Sequence, residues 1–234
     1  MIVWMRGVDP GVARTMASDT KRRILDAAER LFADNGVLAT SMRDITAEAG
    51  VNLAAANYHF GSKEALLIAV LERNAAPINE IRLARLDELE AAAGGGSVDI
   101  EALVRAFLAP MFERWCGWGQ DEPKILKLVG RIHAEVDQEL RAKFIRQFDT
   151  VFQRFAAAFQ RSLPELAASD VHWRLLFLIG SMAYTMTWGA SIVASDPNGR
   201  KTPEEMLEAL VQFAAAGMSV GAARTVSVPV GVPR

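Results

Sequence analysis

From Thr20 to Gly217 the apolar residues recur at three- and four-residue spacing, and no stretch alternates polar with apolar for long. That period confines the chain to an all-α fold, because a half-buried strand needs side chains that change face at every residue. Capping residues and breakers then divide the pattern. A first helix opens near Asp19 and Thr20, carries Ile24, Leu25, Ala28, Leu31 and Phe32 on one stripe, and ends at Asn35-Gly36. Ser41 caps a short second helix with Asp44 as its reciprocal partner; Ile45 and Ala49 face inward and Gly50 ends it. Another short helix runs from Ala54 to Phe60-Gly61, and Ser62 caps a long one reaching Ala93. Pro77 lies inside this last pattern, where it is expected to kink or break the helix.

Gly94-Gly95-Gly96-Ser97 reads as a linker. Beyond it come a helix from Val98 to about Trp115, one opening at Pro123, and one after Asp137 with Phe144, Phe148, Phe152, Phe155 and Phe159 as its stripe. Leu163-Pro164 closes that stripe, and a further helix begins at Ser169-Asp170. The last helix is announced by Thr202-Pro203-Glu204-Glu205, an N-cap, a proline at the first helical position and a capping glutamate. About nine helices result, with no internal repeat.

Leu175 to Ser195 contains no charged residue, long enough to suggest a membrane span. It also carries Gly180, Ser181, Thr185, Thr187, Gly189 and Ser191 and lacks a clustered basic flank, which favours a helix buried in the protein or in a subunit interface. The single Cys116 excludes an internal disulfide and fits a reducing, cytoplasmic setting. Residues 1–17 lack a signal-peptide pattern and read as a disordered leader, as residues 221–234 read as a disordered tail. With a net charge of −2, any basic surface has to be local.

The informative stretch is Thr40 to Lys63, two short helices joined by Gly50-Val51-Asn52: a helix-turn-helix. The second of them, Leu53-Ala54-Ala55-Ala56-Asn57-Tyr58-His59-Phe60, has small residues that let its backbone approach a groove. Asn57, Tyr58, His59 and nearby Lys63 add hydrogen-bonding groups, an aromatic edge and a positive charge, a mixture suited to the major groove. Each has a plainer alternative. Tyr58 and Phe60 could pack between helices, favoured for Phe60; His59 could be a surface histidine; Arg43 could pair with Asp44 or Glu48; and Lys21-Arg22-Arg23 reads first as a solvated face.

The segments TKRRILDAAERLFADNG, TSMRDITAEAGV and NYHFGSKEALL, between Thr20 and Leu67, resemble the DNA-binding domain of the TetR/AcrR family of transcriptional regulators. APIN at Ala76 to Asn79 and the following RLARLDELE resemble a fatty-acid-responsive subgroup. The resemblance implies that residues 18–63 bind double-stranded DNA and residues 64–220 form a helical ligand-binding and dimerisation domain. Arg43 then takes a base- or phosphate-contacting position, Ser41 caps its helix and touches a phosphate, and Ala55, Asn57 and His59 occupy the exposed face of the recognition helix. Tyr58 and Lys63 grip the backbone, and Thr20, Lys21 and Arg22 reach a phosphate. Ala55 and Ala56 depart from the bulkier or hydroxylated residues frequent in the family, which leaves Asn57 and Arg43 much of the base readout.

The resemblance further implies a homodimer, here through the last two helices, and a cavity for an apolar effector such as a fatty acid or acyl derivative, whose binding releases a repressor from a palindromic operator. Candidate lining residues are Met111, Trp115, Trp118, Phe148, Phe152, Met182, Met186 and Trp188, with Arg131 or His133 as a polar anchor. The same stripes read equally as core. His133, Glu135 and Asp137 are too few for a metal site, no nucleophile–base or phosphate-loop motif stands in context, and no cofactor is implied. The alternative class is an all-helical small-molecule carrier or enzyme with no DNA role.

Overall fold

The computed structural model describes residues 10–116, 128, 138–193 and 201–220, without the side chains of 10–17, 115–116, 141 and 188–193. Among the described residues there are nine helices and no strand: α1 (Pro10–Asn35), α2 (Met42–Ala49), α3 (Leu53–Phe60), α4 (Lys63–Ala92), α5 (Ile100–Cys116), α6 (Gln138–Arg146), α7 (Asp149–Ser162), α8 (Ala168–Val193) and α9 (Pro203–Ser219). They divide into two compact units. One comprises Met1–Pro77 with Gln120–Gln147, the other Ile78–Gly119 with Phe148–Arg234.

Three features depart from the sequence pattern. First, α1 starts at Pro10 rather than near Asp19, since proline suits a first helical position and Ala13, Arg14 and Met16 favour helix. Second, α4 runs unbroken through the exposed Pro77, where the loss of one backbone bond is tolerated. Third, the phenylalanine stripe after Asp137 is carried by two helices, not one. No glycine or proline marks the break at Gln147-Phe148; there the Gln147 amide donates to Ile68 O of α4 at 3.4 Å, a tertiary tie. The helix expected to open at Pro123 lies outside the described residues.

In the first unit the stripe of α1 does what its period demands. Ile24, Ala28 and Phe32 are fully buried, together with Ile45 of α2, Ala56 of α3 and Leu66, Leu67 and Val70 of α4. Ser41 and Asp44 form the reciprocal cap of α2, and Gly50 ends it at φ +63, the left-handed conformation glycine adopts at no steric cost. Asn52 caps α3 by accepting from Ala55 N at 2.8 Å, and Ser62 caps α4 by accepting from Ala65 N at 3.1 Å. Arg73 of α4 pairs with Asp26 and Glu29 of α1, and Asn74 donates to Glu29, so α1 and the first half of α4 are locked in register.

In the second unit α5 is the central element. Leu103, Val104, Phe107, Leu108 and Phe112 are buried, and α7 and α9 pack on it. The reciprocal cap Thr202–Glu205 with Pro203 starts α9 as the sequence pattern predicts. Ion pairs fasten the rim: Arg85 is bidentate to Glu113, Arg105 joins Glu208 and Glu101, and Arg154 joins Asp87 and Glu90. At such exposure solvent screens each pair, so they select register more than they add stability. On α8, Val171, Leu175, Leu178, Met182 and Met186 are buried, whereas Trp173, Leu176, Phe177 and Tyr184 lie open. No helix among the described residues is long and apolar enough to cross a membrane.

Candidate functional site

The helix-turn-helix is held by three basic side chains, two bonding to backbone carbonyls and one to a carboxylate. Arg23 of α1 donates to Ala49 O at 2.5 Å and Gly50 O at 3.0 Å, tying down the end of α2 where carbonyls have no helical partner. Lys63 donates to Val37 O at 2.9 Å and Thr40 O at 3.1 Å, and the buried Thr40 hydroxyl donates to Gly36 O at 2.7 Å, fixing the α1–α2 loop. Arg30 pairs with Glu48 across α1 and α2. By sequence Arg23 reads as part of a solvated face and Lys63 as a phosphate contact; the long-range bonds of both residues are invisible until the helices are packed.

With the motif fixed, its open surface is defined. Asn57 and Tyr58 of α3 are exposed, Tyr58 to 85%. Ala55 and His59, expected on the same face, are half-buried, and Ala54 joins Asn57 and Tyr58 instead. The reason is geometric: residues two apart on an α-helix point roughly 200° apart, so Ala55 and His59 share a side with each other and not with Asn57. His59 stands edge-on to Tyr58 at 5.3 Å between centroids, and Phe60 is half-buried with the Lys21 ammonium 6.0 Å from its ring. The packing role favoured for Phe60 matches this.

Arg43 is exposed on the first turn of α2. Neither carboxylate considered as its partner pairs with it. Asp44 accepts from the Ser41 hydroxyl at 2.6 Å and the Ser41 backbone N–H at 2.9 Å, which holds its carboxyl below the usual carboxylate range, and Glu48 is taken by Arg30. Ser41 itself is exposed, its hydroxyl committed to the cap. A charged guanidinium without an ion-pair partner among the described residues therefore stands on the helix that precedes α3.

Of the candidates for an apolar cavity, Met182 and Met186 are buried on α8, and Met111, Phe148 and Phe152 are half-buried. Phe152 rests edge-on against the exposed His172 at 4.7 Å rather than pointing into the core. Trp118, Arg131, His133, Glu135 and Asp137, and the side chains of Trp115 and Trp188, lie outside what is described. The buried cation that the sequence did not single out is Arg82 of α4. It is 3% exposed, donates from Nε to Phe107 O at 2.8 Å, and stacks 4.4 Å from the Phe107 ring. Burial pulls its pKa down to about 10, so it remains charged at neutral pH. Four residues from the buried Ile78 and four from the buried Leu86, it falls on the inward stripe of α4, and only packing against α5 and α8 shows what its guanidinium meets there.

Two family models match the chain: "Bacterial regulatory proteins, tetR family" over residues 24–70 and "Tetracyclin repressor-like, C-terminal domain" over residues 105–217, together well over half of it. The chain belongs to the TetR family. Its first match falls on the helix-turn-helix built above, and the family is one of transcriptional regulators, not enzymes. Among curated relatives, the regulator BetI of Rhizobium meliloti is 47% identical over 51 residues, 22% of this chain and 25% of that protein. The chain thus aligns with about a quarter of that relative's length. Among solved structures, a TetR-family transcriptional regulator from Mesorhizobium loti is 24% identical with a TM-score of 0.57, over 86% of this chain and 96% of that one. The regulator FadR from Bacillus subtilis, solved in complex with stearoyl-CoA, is 16% identical with a TM-score of 0.66, over 84% and 98%. Both likenesses speak for the TetR fold.

Proposed function

We propose that this TetR-family chain is a ligand-released repressor that binds a palindromic operator as a homodimer in the cytoplasm. Residues 18–63 form the DNA-binding domain and residues 64–220 the ligand-binding and dimerisation domain. The observation that carries the reading is the open Asn57–Tyr58 face of α3, preceded by Arg43 on α2, which meets no carboxylate among the described residues. Asn57 and Arg43 read base edges, while Tyr58, Ser41, His59 and Lys63 contribute to backbone contact and Ala55 admits close approach.

The exposed apolar residues Trp173, Leu176, Phe177 and Tyr184 of α8, with Phe213 of α9, support a twofold interface between copies of the last two helices. Two recognition helices about 34–36 Å apart then meet successive major grooves. An apolar effector, a fatty acid or acyl derivative, favours a dimer with a different spacing and weakens DNA binding by a coupling of about 1–3 kcal/mol. The apolar buried face of α8 supports this choice, as does the acyl ligand held by the Bacillus subtilis FadR.

The test is a fluorescence-anisotropy titration of the full chain against DNA from its own gene neighbourhood at two salt concentrations, with random DNA as control. Tight binding to one fragment, with dimer stoichiometry and release by added acyl ligand, is expected. Equal affinity for random DNA in every fragment tried would defeat the operator reading.

A further inference from the structure

Arg82 is the one buried cation in the second unit, among the described residues, that faces no carboxylate. Elsewhere in that unit Arg85, Arg105, Arg154 and Arg161 meet Asp or Glu at the rim, and Arg174 caps a helix end on Met218 O. Arg82 instead donates from Nε to Phe107 O at 2.8 Å, from Nη1 to the Asn79 amide oxygen at 3.2 Å and from Nη2 to the Met182 thioether at 3.5 Å. All its partners among the described residues are neutral, and the last is a weak acceptor. The bonds leave one N–H on each terminal nitrogen, so a planar fork of donors with a full charge is held 3% exposed among Phe107, Asn79 and Met182.

A guanidinium cannot shed its charge at neutral pH, and a charge taken out of water without a counter-ion is among the costliest arrangements in a protein interior. A device of this kind stabilises whatever anion reaches it, because most of the desolvation has been spent in folding. A carboxylate matches the fork in geometry as well as in sign.

We propose that Arg82 anchors the anionic head of the effector, a carboxylate carried on an apolar chain, with the head displacing the Met182 thioether from the guanidinium. This names the chemistry of the site in the effector-release reading above and rests on that reading. Arg82 also lies on α4, the helix whose first half belongs to the unit that contains the helix-turn-helix and whose second half belongs to this one. Neutral acyl compounds of equal length are discriminated against, because they leave the buried charge uncompensated.

The probes are oleate and oleyl alcohol, which share a chain and differ in head charge, titrated by calorimetry into the intact protein and into Arg82→Met. In the unaltered protein oleate binds about 10- to 100-fold more tightly than the alcohol, the range expected for a desolvated charge-assisted pair. In Arg82→Met the preference disappears and the ligand-free protein is no less stable, since an apolar side chain of similar length replaces an uncompensated charge. Equal binding of both probes to the unaltered protein overturns the proposal while leaving an apolar effector in place. Unchanged oleate preference in Arg82→Met, coupled with a loss of ligand-free stability, overturns it in favour of a purely structural arginine. Binding of neither probe removes the apolar effector and the anchor with it. The comparison on the unaltered protein decides the matter even where Arg82→Met does not fold, and Arg82→Lys, which keeps the charge without the fork, retains a reduced preference for oleate.

Discussion

Replacing Gly50 by alanine acts on the turn between α2 and α3 in two separable ways. Gly50 sits at φ +63, a conformation that costs an L-residue about 1–2 kcal/mol. A Cβ built there would also lie 2.8 Å from Nη2 of Arg23, the nitrogen that bonds Ala49 O and Gly50 O. The guanidinium can swing away, but its two charge-assisted bonds go with it. At a half-exposed site they merit the lower end of the usual range, about 1.5 kcal/mol. Gly50→Ala should therefore destabilise by about 2.5–3.5 kcal/mol and Arg23→Ala by about 1.5 kcal/mol. The two must not add: once Arg23 is gone, Gly50→Ala costs only the backbone term, leaving about 1.5 kcal/mol of coupling in the double-mutant cycle. Urea unfolding monitored by circular dichroism measures all four corners, and operator titration checks that the loss tracks with DNA affinity. Additive costs, or a Gly50→Ala penalty below about 1 kcal/mol, would refute the claim that Arg23 clamps the turn.

Asn57→Ala should weaken binding to the specific operator by about 1–3 kcal/mol and barely change binding to random DNA, read by anisotropy; equal loss on both would remove Asn57 as a base reader. Lys63→Ala should lower the urea midpoint of the free protein, because Val37 O and Thr40 O lose their donor, and should weaken specific and random DNA alike; unchanged stability would contradict the clamp. Phe177→Glu places a charge on the open apolar face of α8 and should convert the proposed dimer to monomer by sedimentation, with operator affinity falling in parallel. Acid should loosen α2 through Asp44: its carboxyl is held below its unfolded value, so its support is complete above the usual carboxylate range and is lost as pH falls through the folded pKa beneath it. The gap in urea midpoint between the wild type and Asp44→Asn should accordingly close as the pH falls through and below the usual carboxylate range, and a gap constant across that fall would refute the assignment.

Sequence by itself determined the parts of this protein that depend on neighbours in the chain. The buried stripe of Ile24, Ala28 and Phe32, the caps at Ser41, Ser62 and Thr202 and the turn at Gly50 are all local: each rests on period, on a side chain reaching three residues along, or on one backbone angle. The open side of α3 was half legible, since periodicity puts Asn57 and Tyr58 near each other but does not say which side α1 and α2 will cover. Contacts between residues far apart in the chain belonged to the tertiary structure alone. Arg23 over Gly50 and Lys63 over Val37 are drawn from basic residues that read locally as a solvated face, and Arg82, though on the buried stripe of α4, has its partner Phe107 fixed only by packing. The split of the phenylalanine stripe at Gln147 is of the same kind, with no local breaker to announce it. A long basic side chain has the reach to serve solvent, a carboxylate or a distant carbonyl equally well, and only the packing of the helices decides which of these it meets.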